Sequence, residues 1–227
     1  MTTLYNVRKT VSGHYTEVSR FSSPIARGFP KLLSERSGVR AVVRRADNVA
    51  RAKKRIFRLV HANECRFRPI FLTLTYKENM QDRAIAVKDL ARFFRLLRAH
   101  YPLVKYLYVL EKQKRGAYHA HILLFNLPWL PISMLQKLWS HGGNDIKFTN
   151  DSQHVSFYLA KYVGKEFGDD GTYSRAYNTS HGLLKPETFH YLVSHYFPFH
   201  SEHLRYEGIR TTLNGNIILT RAIYESP

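Results

Sequence analysis

The chain has 227 residues, with 35 Lys and Arg against 17 Asp and Glu, for a formal net charge of +18. A composition of 44% hydrophobic and 14% aromatic residues can build its own core and excludes intrinsic disorder. The only cysteine, Cys65, excludes an internal disulfide framework and any Cys₄ or Cys₂His₂ zinc module.

The apolar runs around 70–74, 103–110 and 122–130 stop well short of the roughly 18 residues a membrane span needs. The first 21 residues hold no continuous apolar stretch of the signal-peptide kind. The expectation is a soluble intracellular protein with no membrane partner. Excess positive charge calls for a polyanion, nucleic acid first, with a general compositional bias toward Arg and Lys as the bland alternative.

Residues 1–33, with Gly13, Ser22-Ser23-Pro24, Gly28 and Pro30, show no sustained period and read as an irregular N-terminal arm. From 34 to 61 apolar residues recur at three- and four-residue spacing (Val39, Val42, Val43, Val49, Ile56, Leu59, Val60), predicting a helix. Around them stand Arg36, Arg40, Arg44, Arg45, Arg51, Lys53, Lys54, Arg55 and Arg58, opposed only by Glu35 and Asp47. Charge of one sign favours a phosphate-contacting helix over a merely solvated one.

Residues 69–76 (PIFLTLTY) read as a strand, and 86–100 as a helix by the spacing of Val87, Leu90, Phe93, Phe94 and Leu97. Strands over 104–111 and 117–125, joined by the basic turn 112–116, predict a hairpin. A short helix over 131–139 has Pro at its first turn, 146–149 is a brief strand, and Asp151 or Ser152 caps a helix to about 167. Residues 168–203 read as loop with weak helical stretches, and 209–223, around Asn214-Gly215, as a second hairpin. The central order of strand, helix, strand, strand, helix, strand, helix predicts an α+β fold. It is close to the ferredoxin-like or RRM-like plan, an antiparallel sheet with helices on one face.

Three clusters carry candidate chemistry. His119 and His121 are two apart on a predicted strand, so both imidazoles leave one face and can share a metal. Twelve histidines in 227 positions give about 0.6 such pairs by chance, so the pair alone is weak. A regular hairpin brings Glu111 opposite His119 or His121, completing a donor set suited to Mn²⁺ or Mg²⁺. Gln113 shares its parity and is the alternative third ligand, and a turn-capping or Arg115-pairing role for Glu111 stands beside both. Tyr158, Lys161, Tyr162 and Lys165 fall on one helical stripe, a combination of phenols and cations fit for phosphodiester transfer. The Tyr-x-x-Lys-Tyr pattern is expected by chance only about 0.06 times. Tyrosines packing a helix onto a sheet, with the lysines reaching out to water, are the plainer alternative.

FLTLTY (71–76), LEKQKRGAYHAHILL (110–124) and FYLAKYVGK (157–165), in that order, resemble the three motifs of HUH endonucleases, nearest to rolling-circle replication initiators of small bacterial plasmids and single-stranded DNA phages. The resemblance covers about residues 50–166. It implies the HUH fold over a single nuclease domain, 34–227, with the basic helix at its start, the hairpin 209–223 at its end and no helicase domain. It implies nicking and rejoining of single-stranded or hairpin origin DNA through a 5′-phosphotyrosine and a free 3′-hydroxyl. His119, His121 and Glu111 become the expected metal ligands, Tyr158 the nucleophile, Lys161 its partner, and Tyr162 the second tyrosine of two-tyrosine initiators. Host helicase and polymerase are the implied partners and the bacterial cytoplasm the implied location. A binding module without catalysis, or a relaxase or transposase with the same chemistry, are the alternatives.

Overall fold

The computed structural model describes residues 3–27, 38–63, 69–127, 129–148, 152–163, 177–194, 202–211 and 216–225; the side chains of 38–46, 148, 152–155 and 157 are not among those described. The chain divides into two compact units, Ser37–Leu184 and a second built from Met1–Arg36 with Lys185–Pro227. This corrects the expectation of one domain over 34–227.

The unit of Ser37–Leu184 contains α1 (Gly38–Ala62), β3 (Ile70–Thr75), α2 (Arg83–His100), β4 (Lys105–Lys112), β5 (Tyr118–Phe125), α3 (Ile132–Leu138), β6 (Asn144–Phe148), α4 (Ser152–Val163) and β7 (Asn178–Thr179). The strands form one sheet in the order β6-β3-β5-β4-β7, with every neighbouring pair antiparallel. Numbered along the chain, β3, β4, β5 and β6 stand in the spatial order 4-1-3-2 of a βαββαβ unit, which is the ferredoxin-like plan.

Helices cover both faces of this sheet rather than the one expected. Residues of even number on the strands (Ile70, Leu72, Leu74, Leu110, Ala120, Ile122, Leu124) pack with Leu90, Phe93, Leu97 of α2 and Leu135 of α3. Those of odd number (Phe71, Leu107, Val109, Leu123, Phe125) pack with Ala52, Ile56, Val60 of α1 and Leu159, Tyr162, Val163 of α4. The period of two in each strand sorts the side chains into these two layers, and near-continuous apolar runs such as HILLF reflect burial on both sides.

Local signals set the boundaries. Asp82 caps α2, its Oδ1 accepting from the amides of Ala84 at 2.7 Å and Ile85 at 3.1 Å, so the helix starts three residues before the apolar period does. The β4–β5 turn closes with Gln113 N donating to Ala117 O and Gly116 N to Gln113 O, both at 2.8 Å. Gly116 takes φ +92°, a conformation that disfavours side chains.

The second unit is a five-stranded antiparallel sheet in the order β8-β1-β2-β10-β9, made of β1 (Leu4–Ser12), β2 (Tyr15–Ala26), β8 (Glu187–Tyr191), β9 (Leu204–Thr211) and β10 (Ile217–Glu225). Residues 1–33 are therefore no irregular arm: β1 and β2 pair through a two-residue turn at Gly13 and His14. The hairpin expected over 209–223 is β9–β10, longer at both ends, with its turn outside the described residues. Among the described residues of 168–203 there is no helix; β7 and β8 stand there instead. Inside this sheet Glu17 is buried and bridges Arg221 at 2.9 Å, while Thr10, Ser12 and Ser19 are buried beside it.

Candidate active site

The site lies on the face of the Ser37–Leu184 sheet that α1 and α4 cover. Hairpin register sets Glu111 of β4 directly opposite His119 of β5, and Val109 opposite His121. On the other flank β3 places Thr75 opposite His119 and Thr73 opposite His121. All these side chains share one face, as the period of two requires.

Glu111 and His121 are buried, and Glu111 Oε2 lies 2.8 Å from His121 Nε2. The ring of Tyr162 stacks on His121, centroids 3.7 Å apart and planes at 12°. Thr73 Oγ1 approaches His121 Nδ1 at 3.4 Å, and Phe71 lies near-parallel to the imidazole at 6.1 Å. His121 is thus fixed by partners on its edge and its face.

His119 is held differently. Its Nδ1 is 3.0 Å from Gln113 Nε2, and its Nε2 is buried with no hydrogen-bond partner. Gln113, the alternative ligand, therefore orients the ring of His119 instead of joining Glu111. Burial is the largest influence on His119 and, with Arg115, pushes its pKa below the usual imidazole value, against the opposing pull of Glu111. A neutral ring is the form that binds metals.

Among the described residues no group of three His, Cys, Asp or Glu side chains stands ready-arranged around a cation position. The donor chemistry nevertheless fits one. Two imidazoles and a carboxylate share a face, and the orphaned Nε2 of His119 is a buried polar atom that a cation would satisfy. With the Gln113 amide nitrogen donating to Nδ1, the proton of neutral His119 sits on Nε2. An amide turned to present Oε1 moves that proton to Nδ1 and frees the lone pair a metal requires.

Helix α4 brings the tyrosines to this face. Tyr158 is 40% exposed, while Tyr162, one turn on, is buried against His121. The two phenol rings meet edge-on at 5.2 Å, and Phe71 meets Tyr158 edge-on at 5.1 Å. Burial, then the hydrogen bond with Tyr158, then the Tyr158 and Glu111 charges hold the Tyr162 phenol far above the ordinary phenol range. Lys161 is exposed beside Tyr158 on α4, whereas Lys165 lies outside the described residues. The expected stripe of four is thus split: Tyr158 and Lys161 face water, and Tyr162 faces the sheet.

Residues 69–167 match the model of the replication-associated protein family named for ORF2. It is the segment of a replication-associated protein. No curated protein and no solved structure matches the chain. The replication-associated segment takes in β3 through α4, hence the whole βαββαβ unit, both histidines, Glu111 and both tyrosines. Helix α1 lies outside the replication-associated match, although it packs in the same core as α4.

On α1, Ala52, Ile56 and Val60 form the buried stripe, Arg51, Lys53 and Arg55 are exposed, and Lys54 and Arg58 are half-buried. Arg51 also bonds back to Asp47 O at 3.2 Å and Asn48 Oδ1 at 2.9 Å. Arg115 is exposed in the β4–β5 turn. Arg40, Arg44 and Arg45 lie on the backbone of α1 with side chains outside those described, and Arg36 is outside the described residues altogether. Among the described residues no helix is long and apolar enough to cross a membrane. Sequence reasoning did not single out Phe71 and Thr73, yet their parity with Thr75 in FLTLTY marks the face they share with the histidines.

Proposed function

We propose that this chain nicks and rejoins single-stranded origin DNA by tyrosine transesterification, initiating rolling-circle replication. The reading rests on one convergence. Glu111, His119 and His121 occupy adjacent register positions on a single sheet face, and α4 lays an exposed phenol, Tyr158, over that same face.

Tyr158 is the nucleophile in this reading, being the accessible phenol of the two. Its oxygen attacks the phosphorus of the scissile phosphodiester and gives up its proton to solvent. The bond from phosphorus to the 3′ oxygen breaks, the 5′ phosphate stays on Tyr158, and the leaving oxygen takes up a proton to become a free 3′-hydroxyl. Attack of a 3′-hydroxyl on the phosphotyrosine reverses the step and rejoins the strand. Glu111, His119 and His121 would hold a divalent cation, Mn²⁺ or Mg²⁺, which when bound withdraws charge from a non-bridging phosphate oxygen. Lys161, exposed three residues from Tyr158, screens the charge that builds on the phosphate. The cations of α1, with Arg36, Arg115 and Lys165, hold flanking phosphates without reading bases. A host helicase and polymerase in the bacterial cytoplasm would open and extend the nicked strand.

The direct Glu111–His121 bond favours a second reading, in which these groups only stabilise the hairpin of a nucleic-acid-binding module. One experiment separates the two. Labelled single-stranded oligonucleotides from the neighbouring replicon are incubated with the protein and Mn²⁺, then run on a denaturing gel. A covalent adduct that EDTA abolishes is expected; salt-sensitive binding with no adduct on any oligonucleotide overturns the nuclease reading.

A further inference from the structure

We infer that Tyr162 is a positioning residue: its aromatic ring, not its hydroxyl, sets the plane of His121 and so aims Nε2 of that histidine at the carboxylate of Glu111. The inference rests on the metal-dependent reading above and assigns the second tyrosine of the helix a part other than a second attacking group.

The geometry is that of a built stack. Tyr162 lies on His121 at 3.7 Å with planes 12° apart, closer and flatter than the edge-on contact of 5.2 Å it makes with Tyr158. Tyr162 itself is held by its place in the apolar layer, with Leu159 and Val163 of α4 and with Phe71, Val109 and Leu123 of the sheet. Its ring has little room to turn. Stacking blocks rotation of the imidazole about its Cβ–Cγ bond, the one motion that would swing Nε2 away from Glu111 Oε2 while leaving the backbone register intact. Thr73 Oγ1, at 3.4 Å from Nδ1, is too long a contact to hold the ring alone. His119 has no such plate: it is steered from its edge by Gln113. One imidazole is therefore aligned by a hydrogen bond and the other by a ring.

The chemistry requires only a flat, apolar plate at this position. Phenylalanine supplies it and leucine does not. Groups that orient a metal-binding histidine are worth about 10- to 100-fold in metal affinity.

The test uses the full chain and Mn²⁺ alone, titrated calorimetrically, with ¹H–¹³C spectra of the His121 ring in the metal-free protein as a second readout. Wild type reports the ring-current shift of a stacked imidazole and a defined Mn²⁺ affinity. Tyr162→Phe is expected to keep both, within about twofold in affinity. Tyr162→Leu is expected to lose the ring-current shift and to bind Mn²⁺ at least about tenfold more weakly. If Tyr162→Leu binds Mn²⁺ as wild type does, or Tyr162→Phe weakens as much as Tyr162→Leu, the inference is overturned. If wild type itself binds no Mn²⁺, the metal-dependent reading fails first, and the inference falls with it. Far-UV dichroism and the thermal midpoint of Tyr162→Phe, which keeps the packed ring, verify that the fold is unaltered.

Discussion

Glu111 reaches past its register partner: it pairs with His119 across the β4–β5 ladder, yet its Oε2 bonds His121 at 2.8 Å. Diagonal neighbours on one face are within reach of long side chains, and a glutamate has the length to bridge them. One carboxylate thereby stands between two imidazoles. Glu111→Gln keeps the shape and removes the charge. It is expected to abolish adduct formation with Mn²⁺ while leaving DNA affinity and its salt slope unaltered. Adduct formation by Glu111→Gln at the wild-type rate would remove the carboxylate from the site.

Tyr158 is the exposed phenol of α4. Tyr158→Phe deletes one oxygen and no packing, so the thermal midpoint is expected to stay close to that of wild type while the covalent adduct disappears. Adduct retained by this variant on a denaturing gel would show that another group attacks.

His119 carries a pH signature. Its folded pKa lies below the ordinary 6.5, chiefly because burial disfavours the charged ring, so the unfolded chain binds a proton more readily than the folded one. Its effect on stability is therefore absent above pH 6.5 and becomes destabilising as the pH falls through that value toward the lower folded pKa. Urea unfolding of wild type is expected to lose stability more steeply between about pH 7 and pH 5 than unfolding of His119→Gln. Parallel profiles would count against a buried, neutral ring.

Removing cations from α1 tests whether the helix holds DNA. For single strands the logarithm of affinity falls with the logarithm of salt at about 0.7 per phosphate neutralised. Replacing Arg51, Lys53 and Arg55 together by Ala is expected to lower that slope by about 2 and to weaken binding uniformly across sequences. An unaltered slope would make α1 a solvated helix with no part in binding.

Gly142 tests the support behind β3. A Cβ there would run into the Thr75 carbonyl oxygen and the Lys77 amide nitrogen, both backbone atoms that cannot swing aside. Gly142→Ala is expected to cost about 1–3 kcal/mol in urea unfolding. It would also loosen Thr75, whose amide donates to Gly143 O at 2.9 Å opposite His119. Neutral substitution would mean that the 141–143 segment relaxes freely.

The candidate site was legible because its residues obey local periods. His119 and His121 are two apart on a strand, Glu111 follows from counting back across a short turn, and Tyr158 and Tyr162 are one turn apart on a helix. The two-sided covering of the sheet was less visible, since buried runs such as HILLF lack the alternation that distinguishes one face from the other. The N-terminal strands were missed for the opposite reason. Their buried positions include Thr10, Ser12, Glu17 and Ser19, so burial there carries no hydrophobic period to read. The different surroundings of Tyr158 and Tyr162 depend on how α4 is rotated against Phe71 and His121, a tertiary property that spacing alone does not encode.

The sheet assembled from Met1–Arg36 and Lys185–Pro227 has a bearing on synthesis at the ribosome. Strand β10 pairs beside β2, so that sheet is completed only when residues 217–225 have emerged, whereas Ser37–Leu184 is contiguous and finished earlier. During translation the part carrying Glu111, His119, His121 and Tyr158 can settle first, with the amino-terminal hairpin waiting for the last strand to arrive.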